Sequence, residues 1–187
     1  MDFQFLQNPI SKRWVILAPR RSKRPHAAEA SRGAPDVAKG AEPICPFCIG
    51  REKDEQEVYR VSPQEKSEIR STKLETNSNF QNQNAQNVSD FDIRDSNLSQ
   101  NWLVRVLPNK FPFAPIHEVI IHSPDHHKNF GELPLHQVEL TIKTYRQRYL
   151  THQDKGQVYI FHNRGEAGGE SLPHPHTQLA VVPSNVV

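Results

Sequence analysis

The sequence predicts an α+β domain, an antiparallel meander of short strands with one helix packed against it. Two patterns carry this reading. Short runs rich in β-branched and aromatic residues recur at Trp14-Val15-Ile16-Leu17-Ala18, Leu103–Leu107, Glu118–His122, Gln157–Phe161 and Leu179–Val182. The clearest helical periodicity comes late, where Leu135, Val138, Ile142, Tyr145 and Tyr149 follow one another in steps of three and four.

Composition bounds the function. The 187 residues suffice for one ordinary domain with a real core. A formal net charge of +2 does not point to nucleic acid or a membrane surface. No apolar run approaches the roughly 18 residues of a membrane span. The start, Met1-Asp2-Phe3-Gln4-Phe5, lacks the basic-then-apolar pattern of a secretory leader. The two cysteines, Cys45 and Cys48, do not form the wider disulfide framework of a secreted protein, so a reduced, cytoplasmic setting is expected. Histidine is abundant, with ten copies, and it is both the commonest metal ligand and a frequent catalytic base.

In chain order, Asn8–Arg13 reads as a turn leading into the first strand. Pro19-Arg20-Arg21-Ser22-Lys23-Arg24-Pro25 follows, a cation cluster held stiff by its two prolines. Such a cluster serves as a solvated face or, since arginine grips phosphate oxygens through two parallel bonds, at a phosphate site. Residues 26–42 read as a loose connection. Cys45-Pro46-Phe47-Cys48-Ile49-Gly50 has three readings: half a zinc site, a redox pair, or two small core residues. Pro46 and Gly50 favour a knuckle turn over a redox helix. Zinc needs about four ligands, and histidine is the candidate type with enough copies to supply the other two.

Residues 65–100, centred on Phe80-Gln81-Asn82-Gln83-Asn84, are too polar to bury enough apolar area to offset their ordering entropy, and read as a flexible insertion. The strand Leu103–Leu107 comes next, with Pro108-Asn109-Lys110-Phe111-Pro112 after it. Glu118–His122 ends in Ser123-Pro124-Asp125-His126-His127-Lys128, a turn with adjacent histidines. Pro134 suits the first turn of the helix, whose apolar stripe is expected to face the core with Lys143, Arg146 and Arg148 off it. Its aromatic residues receive no chemical role.

The stretch richest in chemistry is Gly168-Gly169-Glu170-Ser171-Leu172-Pro173-His174-Pro175-His176-Thr177-Gln178. On a strand, residues two apart share a face, so His174, His176 and Gln178 would line one wall behind a glycine-rich turn able to approach an anion. That suits attack on a phosphate, with one histidine as nucleophile and the amide holding a phosphoryl oxygen. The alternative is a polar edge strand carrying surface histidines.

The order of these motifs resembles the galactose-1-phosphate uridylyltransferase family of the histidine-triad superfamily. The similarity covers residues 8–25, 45–60, 102–128 and 157–183. It is most specific at Asn163-x-Gly165 followed by Gly169-x-Ser171-x-Pro173-His174-Pro175-His176-x-Gln178. The resemblance implies a histidine-triad-like antiparallel sheet with a packed helix. It also implies that His176 is the nucleophile taking a nucleoside monophosphate and that Gln178 bonds the phosphoryl group. Cys45, Cys48, His126 and His174 become a structural zinc set, with His127 a competitor for the place of His126. Asn163, Gly169 and Ser171 match positions around the nucleotide phosphates, Arg21 and Arg24 a phosphate-side pair, and Phe47 and Asn109 positions beside base and ribose.

Hydrolytic histidine-triad relatives carry a third histidine where this chain has Gln178. An amide is a poor proton donor, which favours transfer to a second phosphate over hydrolysis. The implied reaction moves UMP from UDP-glucose to a hexose 1-phosphate such as galactose 1-phosphate, in ping-pong fashion, through a uridylyl-histidine. An adenylyl-transferring relative of the ADP-glucose phosphorylase kind is the first alternative. Family members continue through a second, related half, and this chain stops at Val187. The chain is therefore expected to be the N-terminal half of that architecture, a homodimer if the full-length arrangement applies. An inactive, zinc-stabilised nucleotide-binding module is the second alternative.

Overall fold

The computed structural model describes residues 3–24, 45–63, 102–165 and 167–186. The expected loose connection at 26–42 and the polar insertion at 65–100 lie outside the described residues. The described elements are β1 (Gln4–Gln7), β2 (Trp14–Leu17), β3 (Tyr59–Val61), β4 (Val104–Pro108), β5 (Ile116–Ile121), α1 (Leu135–His152), β6 (Gln157–Phe161) and β7 (His176–Val182). Strands β1 and β2 form a hairpin of their own, closed by a turn in which the Asn8 side chain accepts from the backbone of Ile10 and Ser11. The remaining five strands make one sheet in the order β3-β4-β5-β7-β6, antiparallel throughout. This is the expected α+β antiparallel sheet with one helix, but not a simple meander, because β7 pairs between β5 and β6 and the chain crosses from β5 through α1 to the edge strand β6. Strands β1 and β3 are additions to it, being too short and too polar to read from composition.

The histidine-bearing strand β7 is a central strand of this sheet, paired on both sides, with its whole length buried. The edge-strand alternative for this segment is thereby excluded. Pairing with β5 sets Val119 opposite Gln178 and Ile121 opposite His176. The period of two then sorts the sheet into two faces. On one, Val61, Val104, Val106, Ile120, Leu179 and Val181 pack with Leu140 of the helix. On the other, Leu107, Val119 and Ile121 pack with Phe47 and Trp102, which brings the cysteine turn over the same face as His176 and Gln178.

The helix forms where expected, with Pro134 as its N-cap and the carbonyl of Pro134 accepting from Gln137 and Val138. Its buried face differs from the expected one. Leu135 is 83% exposed and Ile142 49%, whereas Gln137, Leu140, Thr141, Thr144, Arg148 and His152 are buried. The sheet face under α1 supplies the reason, because it carries polar groups that need partners. The Gln137 amide donates to the carbonyls of Leu103 (2.8 Å) and His122 (2.7 Å), and Arg148 pairs with Glu118. Satisfying buried polar groups outranks the apolar stripe here.

Candidate active site and metal centre

The strand segment Trp14–Leu17 leads into the cation cluster, which forms a 3-10 turn at Pro19–Lys23. The two arginines then diverge. Arg24 lies in the wall of a cavity of about 310 Å³ and donates to the Ser171 hydroxyl at 2.8 Å. Arg21 donates to the Phe111 carbonyl at 2.8 Å and lies 5.0 Å from the centre of the Phe113 ring. Burial and the neighbouring Arg24 lower its pKa to about 10. Arg21 therefore braces the loop after β4, and Arg24 meets the cavity.

The same cavity is lined by Phe47, Asn109, Ser171, His176 and Gln178, with Leu107 and Val119 as its floor. His176 is 6% exposed and presents its ring to the edge of Phe47, centroids 5.4 Å apart. Its Nδ1 lies 2.8 Å from the carbonyl oxygen of His174. A carbonyl can only accept, so Nδ1 carries the proton and Nε2 keeps a free lone pair. Burial lowers the pKa of this ring, against the opposing pull of the His174 carbonyl and Glu170, and so favours the neutral imidazole.

The turn before β7 is shaped by Glu170, a buried carboxylate that accepts from the Gly165 backbone at 2.7 Å and from Arg164 at 3.0 Å. Gly169 adopts φ +73°, a left-handed conformation that costs a residue with a Cβ. It is exposed, two residues ahead of the cavity-lining Ser171. Asn163 donates to the Gly168 carbonyl and accepts from the Gln178 amide at 3.3 Å, so it holds the turn and the glutamine together.

Beside the cavity, Cys45, Cys48, His126 and His174 bring their ligand atoms within 4.8 Å of one another. Cys48 Sγ lies 3.2 Å from His126 Nδ1 and 3.7 Å from His174 Nδ1, and Cys45 Sγ lies 3.8 Å from His174 Nδ1. The cysteines sit on a tight turn closed by the bond from the Cys48 backbone N–H to the Cys45 carbonyl, the knuckle expected of this segment. His174 Nε2 is 2.9 Å from the Ser123 carbonyl, which fixes the proton on Nε2 and turns a bare Nδ1 toward the sulfurs. Burial lowers the His174 pKa to about 4, which keeps the ring neutral as a ligand must be. The Asp125 carboxylate accepts from the backbone of His127 and Lys128, folding the turn so that His126 points inward while His127 is exposed. This group could hold a metal ion.

Comparison with known proteins gives the family. The family model for galactose-1-phosphate uridyl transferase, N-terminal domain, matches residues 4–181. The chain belongs to this family. Among family relatives, an ADP-glucose phosphorylase of Arabidopsis thaliana is 26% identical over 181 residues, covering 95% of this chain and 48% of that protein. A galactose-1-phosphate uridylyltransferase of Thermotoga maritima is 25% identical over 179 residues, covering 94% and 45%. The chain thus spans about half the length of these relatives. In structure, it is similar to an Arabidopsis thaliana ADP-glucose phosphorylase solved with ADP-glucose (TM-score 0.51, 23% identity, 98% of this chain and 50% of that one). It is also similar to a uridylyltransferase (TM-score 0.52, 18% identity, 96% and 45%). These likenesses bear on the fold.

Within this family frame, two groups of residues escaped the sequence reading. His117 bonds Gln178 from β5 and was legible as the residue two before Val119 on the site face. Behind β7, the Tyr145 hydroxyl meets His122 Nε2 (2.9 Å) and Thr177 Oγ1 (2.7 Å), so one helix aromatic does have a polar task. Strand alternation places Thr177 opposite in sense to His176, which was its one sequence signal. No helix of the described residues is long and apolar enough to cross a membrane.

Proposed function

We propose that the chain carries the nucleotidyl-transfer site of its family, with His176 as the residue that takes a nucleoside monophosphate from a nucleotide sugar. The observation that supports it most is the tautomer of His176: Nδ1 is committed to the His174 carbonyl at 2.8 Å, and Nε2 remains a lone-pair nucleophile at a cavity it shares with Arg24, Ser171 and Gln178.

The residues divide the work as follows. Neutral His176 attacks the α-phosphorus through Nε2, the bond to the bridging oxygen breaks, and sugar 1-phosphate leaves as a stable anion. The Gln178 amide N–H, the Ser171 hydroxyl and Arg24 face the developing charge on the phosphoryl oxygens. Phe47, with Leu107 and Val119, offers an apolar wall for the base, and Asn109 stands at the ribose side. A second hexose 1-phosphate then attacks the nucleotidyl-histidine, reforming free His176 and a new nucleotide sugar. Gln178 supplies no proton to a leaving group, and a sugar phosphate needs none.

Zinc suits the Cys₂His₂ group. In a tetrahedral shell with bonds of about 2.0–2.3 Å, ligand atoms stand roughly 3.3–3.8 Å apart. Three of the separations, 3.2, 3.7 and 3.8 Å, lie near that spacing, all four ligand atoms fall within 4.8 Å of one another, and all four positions are filled by protein, as in a structural site. When bound, the ion would cross-link the cysteine turn, the His126 turn and the start of β7. His174 would thereby set the position of His176 two residues on.

UMP is the leading donor group by resemblance. AMP is the second reading, favoured by the Arabidopsis relative named an ADP-glucose phosphorylase. Isotope exchange separates them: labelled glucose 1-phosphate should enter UDP-glucose with no second acceptor present, and exchange into ADP-glucose alone would transfer the assignment to AMP. Exchange into neither, in folded and zinc-loaded protein, would remove the transferase reading.

A further inference from the structure

Gln178 can serve a phosphoryl oxygen only if its nitrogen, and not its oxygen, faces the cavity. A side-chain amide can turn over at small cost, so something must decide the matter. The deciding groups are backbone atoms, whose donor or acceptor character is fixed. The Phe111 N–H donates to Asn109 Oδ1 at 2.9 Å, which leaves the Asn109 NH₂ as a donor. The Phe113 N–H donates to His117 Nδ1 at 3.3 Å, which makes Nδ1 an acceptor and places the ring proton on Nε2. Both donors converge on Gln178 Oε1, from His117 Nε2 at 3.0 Å and from Asn109 Nδ2 at 3.3 Å.

The other end of the chain of bonds agrees. The Gly168 carbonyl accepts from Asn163 Nδ2, which turns Asn163 Oδ1 toward Gln178 Nε2 at 3.3 Å. One Gln178 N–H is used there and one remains. Asn109 Nδ2 and His117 Nε2 also lie 3.2 Å apart, two donors side by side on the one acceptor Gln178 Oε1, and the backbone-fixed bonds at both ends assign the same amide orientation.

We propose that His117 is the positioning residue that holds the Gln178 carbonyl toward the protein and its remaining N–H toward the phosphoryl group, a role that rests on the nucleotidyl-transfer reading above. His117 itself stays off the cavity wall and acts through Gln178. Its ring is seated against Phe113, centroids 4.3 Å apart, and near Phe161 at 6.4 Å, so it has little freedom to turn. Burial, with the charges of Arg21 and Arg24 beside it, lowers its pKa to about 4 despite the bond to Gln178, so the neutral Nε2–H form persists at neutral pH. Without this ring, Oε1 would keep Asn109 at 3.3 Å and the amide could present its lone pairs to an anion.

The test has two arms on the full chain. The first is the rate of His176 nucleotidylation by UDP-glucose and, in parallel, ADP-glucose, in the wild type, His117→Phe, His117→Gln, Gln178→Ala and the double variant H117F/Q178A. His117→Phe should slow the single-turnover rate about 10- to 100-fold while the donor concentration for half-saturation changes by less than about threefold. His117→Gln, which restores a donor, should recover much of that loss, and the double variant should be no slower than Gln178→Ala. Wild-type rates in His117→Phe, no rescue by glutamine, or multiplying losses in the double variant would each overturn the proposal. The second arm reads the ring without turnover: ¹⁵N-histidine NMR of the wild type should show His117 protonated at Nε2 and not at Nδ1. The opposite tautomer overturns the proposal even if the protein proves inactive, whereas a wild type that forms no adduct but has the expected tautomer counts against the transfer reading alone.

Discussion

Glu118 of β5 and Arg148 of α1 meet through two parallel hydrogen bonds, Nε to Oε2 at 2.9 Å and NH2 to Oε1 at 2.6 Å, with both side chains buried beneath the helix. His152 joins the same Oε1 at 2.9 Å. This pair fixes which face of α1 lies on the sheet. Removing one partner leaves the other charge buried and alone, which costs about 3–5 kcal/mol. Glu118→Gln should therefore lower the unfolding free energy by several kcal/mol in urea titration, and a change below about 1 kcal/mol would show that the pair is not what seats the helix.

Loss of one sulfur should act on metal content and stability together. Cys48 contacts both His126 and His174 in the ligand cluster, so Cys48→Ser is expected to reduce bound zinc, read by elemental analysis, and to lower Tm in the same preparation. A chelator should reproduce the Tm shift in the wild type and add nothing to the variant. Full zinc content in Cys48→Ser would take this residue out of the site.

The two arginines of the cation cluster should separate kinetically. Arg24→Met, which removes the group bonded to Ser171 at the cavity, is expected to raise the donor KM about tenfold or more. Arg21→Met removes a brace on the Phe111 carbonyl and should act mainly through stability. Equal effects of both on KM would mean that Arg21 also reaches the nucleotide.

Stability should fall with acid in a window set by the buried rings. His122 has its pKa lowered to about 3 by burial and by the neighbouring histidines, so it is neutral in the folded chain and charged, below about pH 6.5, in the unfolded one. The unfolded state then binds the extra proton, and stability is full above pH 6.5 and is lost as pH falls from there toward 3, at up to about 1.4 kcal/mol per pH unit for this ring. Denaturant midpoints measured from pH 7.5 to 5, in the wild type and in His122→Phe, should differ in slope by about one proton. Parallel curves would contradict a neutral buried His122.

How far the sequence could be read follows from what each residue answers to. Local pattern was enough for β2, β4, β6, the start of the helix and the two-residue period that brings His176 and Gln178 to one face, whereas His174, expected on the same wall, lies ahead of β7 in the ligand cluster. The metal cluster was legible through ligand chemistry and resemblance, although choosing His126 over His127 required the Asp125 turn, a matter of backbone geometry. The helix face was misjudged because hydrophobic periodicity does not register Glu118, whose need for Arg148 is met across 30 residues of chain. His117 was missed for the same reason: its meaning lies in a bond to Gln178, 61 positions away.

The central claim is that His176 takes a nucleotide covalently, and intact-protein mass spectrometry after incubation with UDP-glucose, with ADP-glucose in parallel, tests it most directly. The account predicts a mass gain of one UMP or one AMP that maps to His176, disappears on addition of a hexose 1-phosphate, and is absent in His176→Gly. An adduct that survives in His176→Gly, or none from either donor in folded, zinc-loaded wild type, would contradict it.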